Sequence, residues 1–332
     1  MVDRQISGSS GLDRRRVAVW AGSGSLLILL LVILLLCIAF SIAGRNFFSL
    51  ATFSTMARGN VSLLLVSLGM TAVMLVGGID LSVGAVMALA SVTFVMLRME
   101  AGLPEGLAIL GALGTGMLCG WLNGLITVAA RVPSFVVTLG MLEAARGIGL
   151  WWTRSQSHSV RSSIDWIAAP KILGLSPAVF LSLWVALMMI VLIRRTVLGR
   201  YWIAIGTNAE AVRLSGIGTA KPTVAAFSIC GLLAGLAGLI QVGETLSAKA
   251  DNFAGMELQA IAACVIGGTS LAGGKGSVIG TLLGTCLLAV LQTGLAQLGA
   301  ADSIKRLVTG LIIVGAVVID AWRQRRVSQG VS

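Results

Sequence analysis

The sequence predicts an all-α, polytopic membrane protein of about ten transmembrane helices, with both termini in the cytoplasm. Three observations carry this. Of 332 residues, 57% are hydrophobic and 11% charged, with a mean hydropathy of +0.97; no water-soluble chain of this length hides so much apolar surface. The apolar residues fall in runs near the roughly 20 residues a spanning helix needs. Glycine is abundant at 42 residues and proline sparse at 5, a balance that suits helices packed closely through small side chains.

Residues 1 to 16, rich in Ser, Gly and Arg, read as a disordered cytoplasmic tail ahead of a permease domain over 17 to 322, with a second cytoplasmic tail at 323 to 332. The first apolar run, 18 to 42, follows an Arg triplet as a signal peptide would. It is too long for one, lacks a small-residue cleavage site, and leads into further membrane segments. Spans are then expected at 59 to 77, 81 to 98, 106 to 129, 133 to 152, 175 to 194, 222 to 243, 258 to 272, 276 to 297 and 303 to 321. With the N-terminus inside, 14 of the 24 Lys and Arg residues face the cytoplasm and 9 face out, with Arg146 inside a span. That bias satisfies the positive-inside rule. It also accounts for the net charge of +11 through topology and contact with membrane lipids, without nucleic acid.

The longest soluble stretches, 153 to 174 outside and 195 to 221 inside, are too short to fold alone. Any energy-supplying or ligand-capturing domain therefore belongs to another chain. The inner stretch contains NAEAVRLSGI, 208 to 217, which opens on a capping residue, Asn208, continues in good helix formers and stops at Gly216. It predicts a short amphipathic helix with Ala211, Leu214 and Ile217 on one face. Such a helix is either a solvated connection or a lever that passes a partner's motion into the bundle.

The run VGGIDLSVG places a carboxylate between two apolar segments. Gly77 and Gly78 end one helix, and Asp80 starts the next by accepting from amides near Ser82 or Val83. The same break, held inside a bundle, can line a polar path, because irregular backbone survives at membrane depth only where protein or water surrounds it. Asn123, Thr127, Ser134, Thr138, Gln241, Gln292 and Thr293 are further polar side chains on such a path, or equally interhelical hydrogen bonds. Glu143 and Arg146, three residues apart on one helix, are expected to pair, structurally or beside the path.

Several chemistries are poorly supplied. GGKGS, 273 to 277, has Thr269 where a P-loop needs its first Gly and Gly276 where it needs Ser or Thr, so it reads as a turn holding Lys275 at the inner surface. His158, the single histidine, falls in a polar loop, and the five cysteines (Cys37, Cys119, Cys230, Cys264, Cys286) lie in apolar runs as small buried residues. Neither a metal site, a catalytic residue nor a bound cofactor is expected.

Four pieces of the chain resemble the permease subunits of bacterial ATP-binding-cassette importers of the ribose, xylose, galactose and autoinducer-2 group, related to branched-chain amino-acid permeases. They are GGIDLSVG (77 to 84), VPSFVVTLGML with ARG (132 to 147), GRYWIAIGTNAEAVRLSGI (199 to 217) and IAACVIGGTSLAGGKGSVIGTLLG (261 to 284). Together they span about two-thirds of the chain in the family's order; Glu143 departs from the pattern. The resemblance implies a multi-pass inner-membrane subunit paired with a second permease copy, identical or related, around one pathway. A separate ATPase would use ATP and Mg, and an external sugar-binding protein would deliver a monosaccharide or sugar-like solute. It also implies that the stretch matching Asn208, Glu210, Ala211, Leu214, Gly216 and Ile217 is the loop that docks on the ATPase. The alternative class is a secondary transporter driven by an ion gradient, for which Asp80 and Glu143 are the available acids.

Overall fold

A computed structural model describes residues 10–44, 47–160, 164–171 and 174–329. It is an all-helical bundle. In chain order the helices are α1 (Ser10–Ala43), α2 (Leu50–Gly59), α3 (Val61–Leu75), α4 (Val83–Met99), α5 (Glu105–Ala130), α6 (Ser134–Thr153), α7 (Pro177–Arg195), α8 (Val197–Leu214), α9 (Ala220–Thr245), α10 (Met256–Ile266), α11 (Val278–Gln297) and α12 (Asp302–Gln329). A two-residue antiparallel ribbon, β1 (His158–Ser159) with β2 (Ser247–Ala248), ties the α6–α7 connection to the α9–α10 connection.

Each of the ten expected segments holds a helix, and α2 and α8 are additional. Among the described residues, α1, α5, α7, α9 and α11 are long and apolar enough to cross a membrane alone, and α2 with α3, bent by 45°, makes a sixth. Helices α4 and α10, at 17 and 11 residues, run only about 26 and 17 Å at 1.5 Å per residue, short of a hydrocarbon core of about 30 Å. They are buried pieces rather than full crossings. The expected span to 272 stops at Ile266 because Gly267 and Gly268 turn the chain. Part of the expected N-terminal tail is helical, since α1 begins at Ser10, while 1–9 lie outside the described residues. At the other end α12 runs into the expected tail as far as Gln329, and 330–332 lie outside.

The core is α3, α4 and α9. Every residue of α3 is buried, which suits a helix apolar all round rather than on one face. Helix α5 closes on α9 through glycines. A Cβ on Gly120 would overlap the Phe227 carbonyl and come within 3.0 Å of the Gly231 Cα, and one on Gly116 would overlap the Gly231 carbonyl. In a bilayer, where lipid tails are as apolar as Leu, such close approach supplies the packing that holds helices together. Replacing Gly120 with Leu is therefore expected to cut the yield of folded protein in detergent several-fold, as expected when overpacking costs about 1–3 kcal/mol. Size-exclusion recovery of a tagged variant measures it. Outward, Leu27, Leu31, Leu34 and Leu35 of α1 and Leu183 and Leu187 of α7 are exposed, the apolar surface a lipid-facing helix presents.

The bundle has two distinguishable ends. Helix α9 runs about 39 Å from α8 at its start to β2 at its finish, α7 runs from the 174–176 turn back to α8, and α6 runs from the α3–α4 break to β1. One end thus carries α8 and the other the ribbon.

Candidate functional site

At the α8 end, three breaks in helical structure meet. The first is 76–82. Helix α3 ends when the amide of Gly77 bonds back to Met74 (2.9 Å) and that of Gly78 to Val73 (2.9 Å), with Gly77 at φ +80°, a conformation that costs other residues strain. The amides that follow find side chains. Ile79 donates to Ser134 Oγ (2.9 Å) and Leu81 to Thr138 Oγ1 (3.1 Å), both on α6. Asp80 is 1% exposed, and its Oδ1 accepts from the Ser82 amide (2.9 Å) and the Ser82 hydroxyl (2.6 Å). Asn123 of α5 donates to Ser82 Oγ (2.9 Å), and its own Oδ1 is buried without a partner. Gly77, Gly78, Asp80, Ser82, Asn123, Ser134 and Thr138 are thereby brought together, and the non-helical backbone is satisfied from neighbouring helices, as membrane depth demands.

The second break, between α10 and α11, repeats the same ending. Gly268 bonds back to Val265 and Thr269 to Cys264, at 2.9 Å each, with Gly268 at φ +88°. The turn that follows exposes Lys275 and lays its glycines on the first break, where the Gly274 amide donates to the Leu75 carbonyl (3.0 Å). A Cβ on Gly273 would sit 2.8 Å from the Gly77 Cα and 3.0 Å from the Gly206 Cα.

The third break lies within α8. Thr196 caps the helix by accepting from Gly199 N, and Trp202 anchors it, fully buried, by donating Nε1–H to the Pro222 carbonyl (2.8 Å). Gly206 then passes so close to Leu75 and Gly274 that any Cβ would overlap the carbonyl of one and the amide of the other. Two residues on, Asn208 leaves helical geometry (φ −161°, ψ 95°), and its Oδ1 accepts from the Ala211 amide (2.9 Å), restarting the helix. That second half closes with Gly216 bonded to Arg213 and Ile217 to Val212, the same ending a third time. Glu210 and Arg213 pair at 2.9 Å on the surface, Ala211 and Leu214 are exposed, and Ile217 is half-buried. The helix begun at Asn208 ends at Leu214 rather than Ile217, and residues 197–207, expected as loop, are helical because Thr196 caps them and Trp202 and Ile205 bury one face.

Other expected residues lie elsewhere. Gln292 donates to Gln259 (3.3 Å) on α10, and Gln241 is half-buried near the ribbon end of α9. The Glu143–Arg146 pair does not form. Glu143 is exposed, while Arg146 is half-buried on the α6 face that meets the β2–α10 segment, where Gly149 packs on Ala250 and Asp251 attracts the guanidinium. Asp251 itself is held below the usual carboxylate range, chiefly by its hydrogen bond with Lys249 (2.9 Å) and then by the charge of that lysine, with Arg146 the smallest contribution. His158 is part of β1, half-buried with Nε2 3.1 Å from the Thr153 carbonyl, not a solvated loop residue. Cys286 is exposed on α11, unlike the other four cysteines, and so is not the buried residue expected. Surface cavities of about 460 Å³, beside Arg58, Asp165 and Glu244, and about 580 Å³, beside Trp121 and Lys221, are not lined by Asp80.

Close-packed broken helices surrounded by apolar surface define a multi-pass membrane protein. The chain belongs to the family of permease components of the branched-chain amino acid transport system, whose pattern matches residues 53–317. Among its relatives is the ribose import permease protein RbsC of Escherichia coli K12, 37% identical over 286 residues, covering 84% of this chain and 88% of that protein. The autoinducer 2 import system permease protein LsrC of Yersinia pseudotuberculosis is 35% identical over 84% of this chain and 80% of its own. The fructose import permease protein FrcC of Rhizobium meliloti is 35% identical over 86% and 82%. No solved structure is significantly similar.

Proposed function

We propose that this chain is the membrane-spanning permease subunit of an ATP-driven importer for a monosaccharide or sugar-like solute in the bacterial cytoplasmic membrane. Two copies, or one copy and a paralogue, enclose the pathway. A separate ATPase, using ATP and Mg, engages residues 208–217 from the cytoplasm, and a sugar-binding protein delivers cargo to the ribbon end. The observation that carries the reading is the seating of α8. Its distal half stands exposed, with Ala211 and Leu214 outward, while its root at Gly206 is wedged between the α3–α4 and α10–α11 breaks. A push on the distal half therefore reaches both breaks through backbone contacts with no compressible side chain between them. The ribose, autoinducer and fructose permeases named above support the sugar-like class.

Replacing Glu210 and Ala211 together with Trp is expected to lower ATP-driven uptake at least about tenfold, within the range of ordinary coupling energies, while leaving membrane insertion intact. Uptake into proteoliposomes containing the chain, its ATPase and its binding protein measures it, and normal uptake would place the coupling contact elsewhere. The same assay tests the whole reading: uptake by the chain without ATPase and ATP would overturn it in favour of an ion-gradient transporter.

A further inference from the structure

Helix α6 has 20 residues and runs from the α8 end of the bundle to the ribbon end. Glu143 is its tenth residue, so about 14 Å of helix lies to either side. The carboxylate sits midway along the helix, exposed, and in no ion pair among the described residues. An acid there cannot face lipid without large cost; ionisable groups at such depth face protein or water. A second observation points the same way. One turn on, the Nε of Arg146 is buried without a hydrogen-bond partner, although the residue is only half-buried and its attraction to Asp251 stops short of a salt bridge. Beside them Gly140 and Gly147 have open space where a Cβ would be, so this stretch of α6 is not filled by the chain's own side chains.

We infer that Glu143 and Arg146 line the water-filled pathway and form a contact point for neutral, polyhydroxylated cargo. The inference rests on the importer reading above. A carboxylate accepts from hydroxyls and a guanidinium donates to them. At i and i+3 their Cβ atoms lie roughly 5–6 Å apart, a separation one monosaccharide bridges with two hydroxyls. The two charges cancel, so the pair offers a neutral solute both halves of its hydrogen bonding and a net-charged one no advantage. Expected contacts are weak, which lets cargo leave as well as enter.

The test uses the assembled importer in proteoliposomes. Glu143→Cys is treated with a membrane-impermeant charged methanethiosulfonate reagent and, separately, with a lipid-soluble maleimide, the parent giving the background of native thiols. Labelling by the charged reagent, slowed by the transported sugar, supports the proposal; labelling by the maleimide alone overturns it. In uptake assays Glu143→Leu is expected to lose roughly tenfold, as for one hydrogen bond to a charged group. Glu143→Gln, which keeps an acceptor oxygen, is expected to lose less, with ATP hydrolysis retained in both. Uptake by Glu143→Leu equal to the parent's also overturns it. Failure of the parent itself to show ATP-driven uptake would count against the importer reading instead, and the labelling result stands apart from that outcome.

Discussion

Replacing Gly206 with Val is expected to uncouple the protein while leaving it in the membrane. No Cβ fits at Gly206, because the Leu75 carbonyl and the Gly274 amide occupy the space and both belong to backbone that cannot rotate away. Backbone at the contact makes accommodation a matter of moving whole segments: either the root of α8 is lifted off the breaks or the breaks are forced apart. Overpacking of this kind costs about 1–3 kcal/mol, and a bias of that size on a two-state seating shifts it by roughly 5- to 150-fold. Sugar uptake should fall by a factor in that range while the ATPase, still able to reach exposed Leu214, continues to hydrolyse ATP. Gly206→Ala should fall between. Gly310→Ala, where a Cβ meets open space, should behave as the parent. Uptake and hydrolysis measured on the same proteoliposomes decide it, and parental coupling in Gly206→Val would show that force does not travel through this contact.

Much of this architecture was legible before any coordinates. Apolar runs located ten of the twelve helices, since hydropathy reports burial in lipid or core directly. Asn208 announced the restart of α8 and Gly216 its end, because capping is a local matter of one side chain and one flexible residue. What the chain does at long range was less legible. The first half of α8 looked like loop because its burial depends on Trp202 reaching Pro222, a contact no periodicity reveals. Glu143 and Arg146 looked like partners because spacing gives proximity along a helix, but proximity alone does not make an ion pair, and none forms between them. The junction of Gly77, Gly206 and Gly273 joins residues far apart in sequence. The signal available for it was the Gly pairs at 77–78, 267–268 and 273–274, which mark places where backbones meet but do not say which.

The second large effect concerns Asp80, whose carboxylate has two possible jobs that one pair of substitutions separates. Asp80→Ala leaves the Ser82 amide and hydroxyl buried without their acceptor, each orphaned group costing about 1–3 kcal/mol. It also leaves the Ser82 hydroxyl, which accepts from Asn123, free to reorient, so the tie between the α3–α4 break and α5 loosens. Folded yield and thermal midpoint in detergent should drop sharply. Asp80→Asn keeps an acceptor oxygen in the same place and removes a charge whose burial is itself unfavourable. If the residue starts a helix, this variant should fold at least as well as the parent and import at a similar rate. If instead the charge meets cargo or an ion in the pathway, Asp80→Asn should be well folded and inactive. The geometry favours the first outcome, because at 1% exposure the carboxylate already spends Oδ1 on Ser82 and cargo has no route to it without opening the break. Retained uptake in Asp80→Asn with loss of the fold in Asp80→Ala would fix the acid as the acceptor that holds Ser82, the N-cap of α4, in place. Loss of uptake in a stable Asp80→Asn would move it onto the path, and would make the neighbouring Ser134 and Thr138, which hold the same break from α6, the next residues to test.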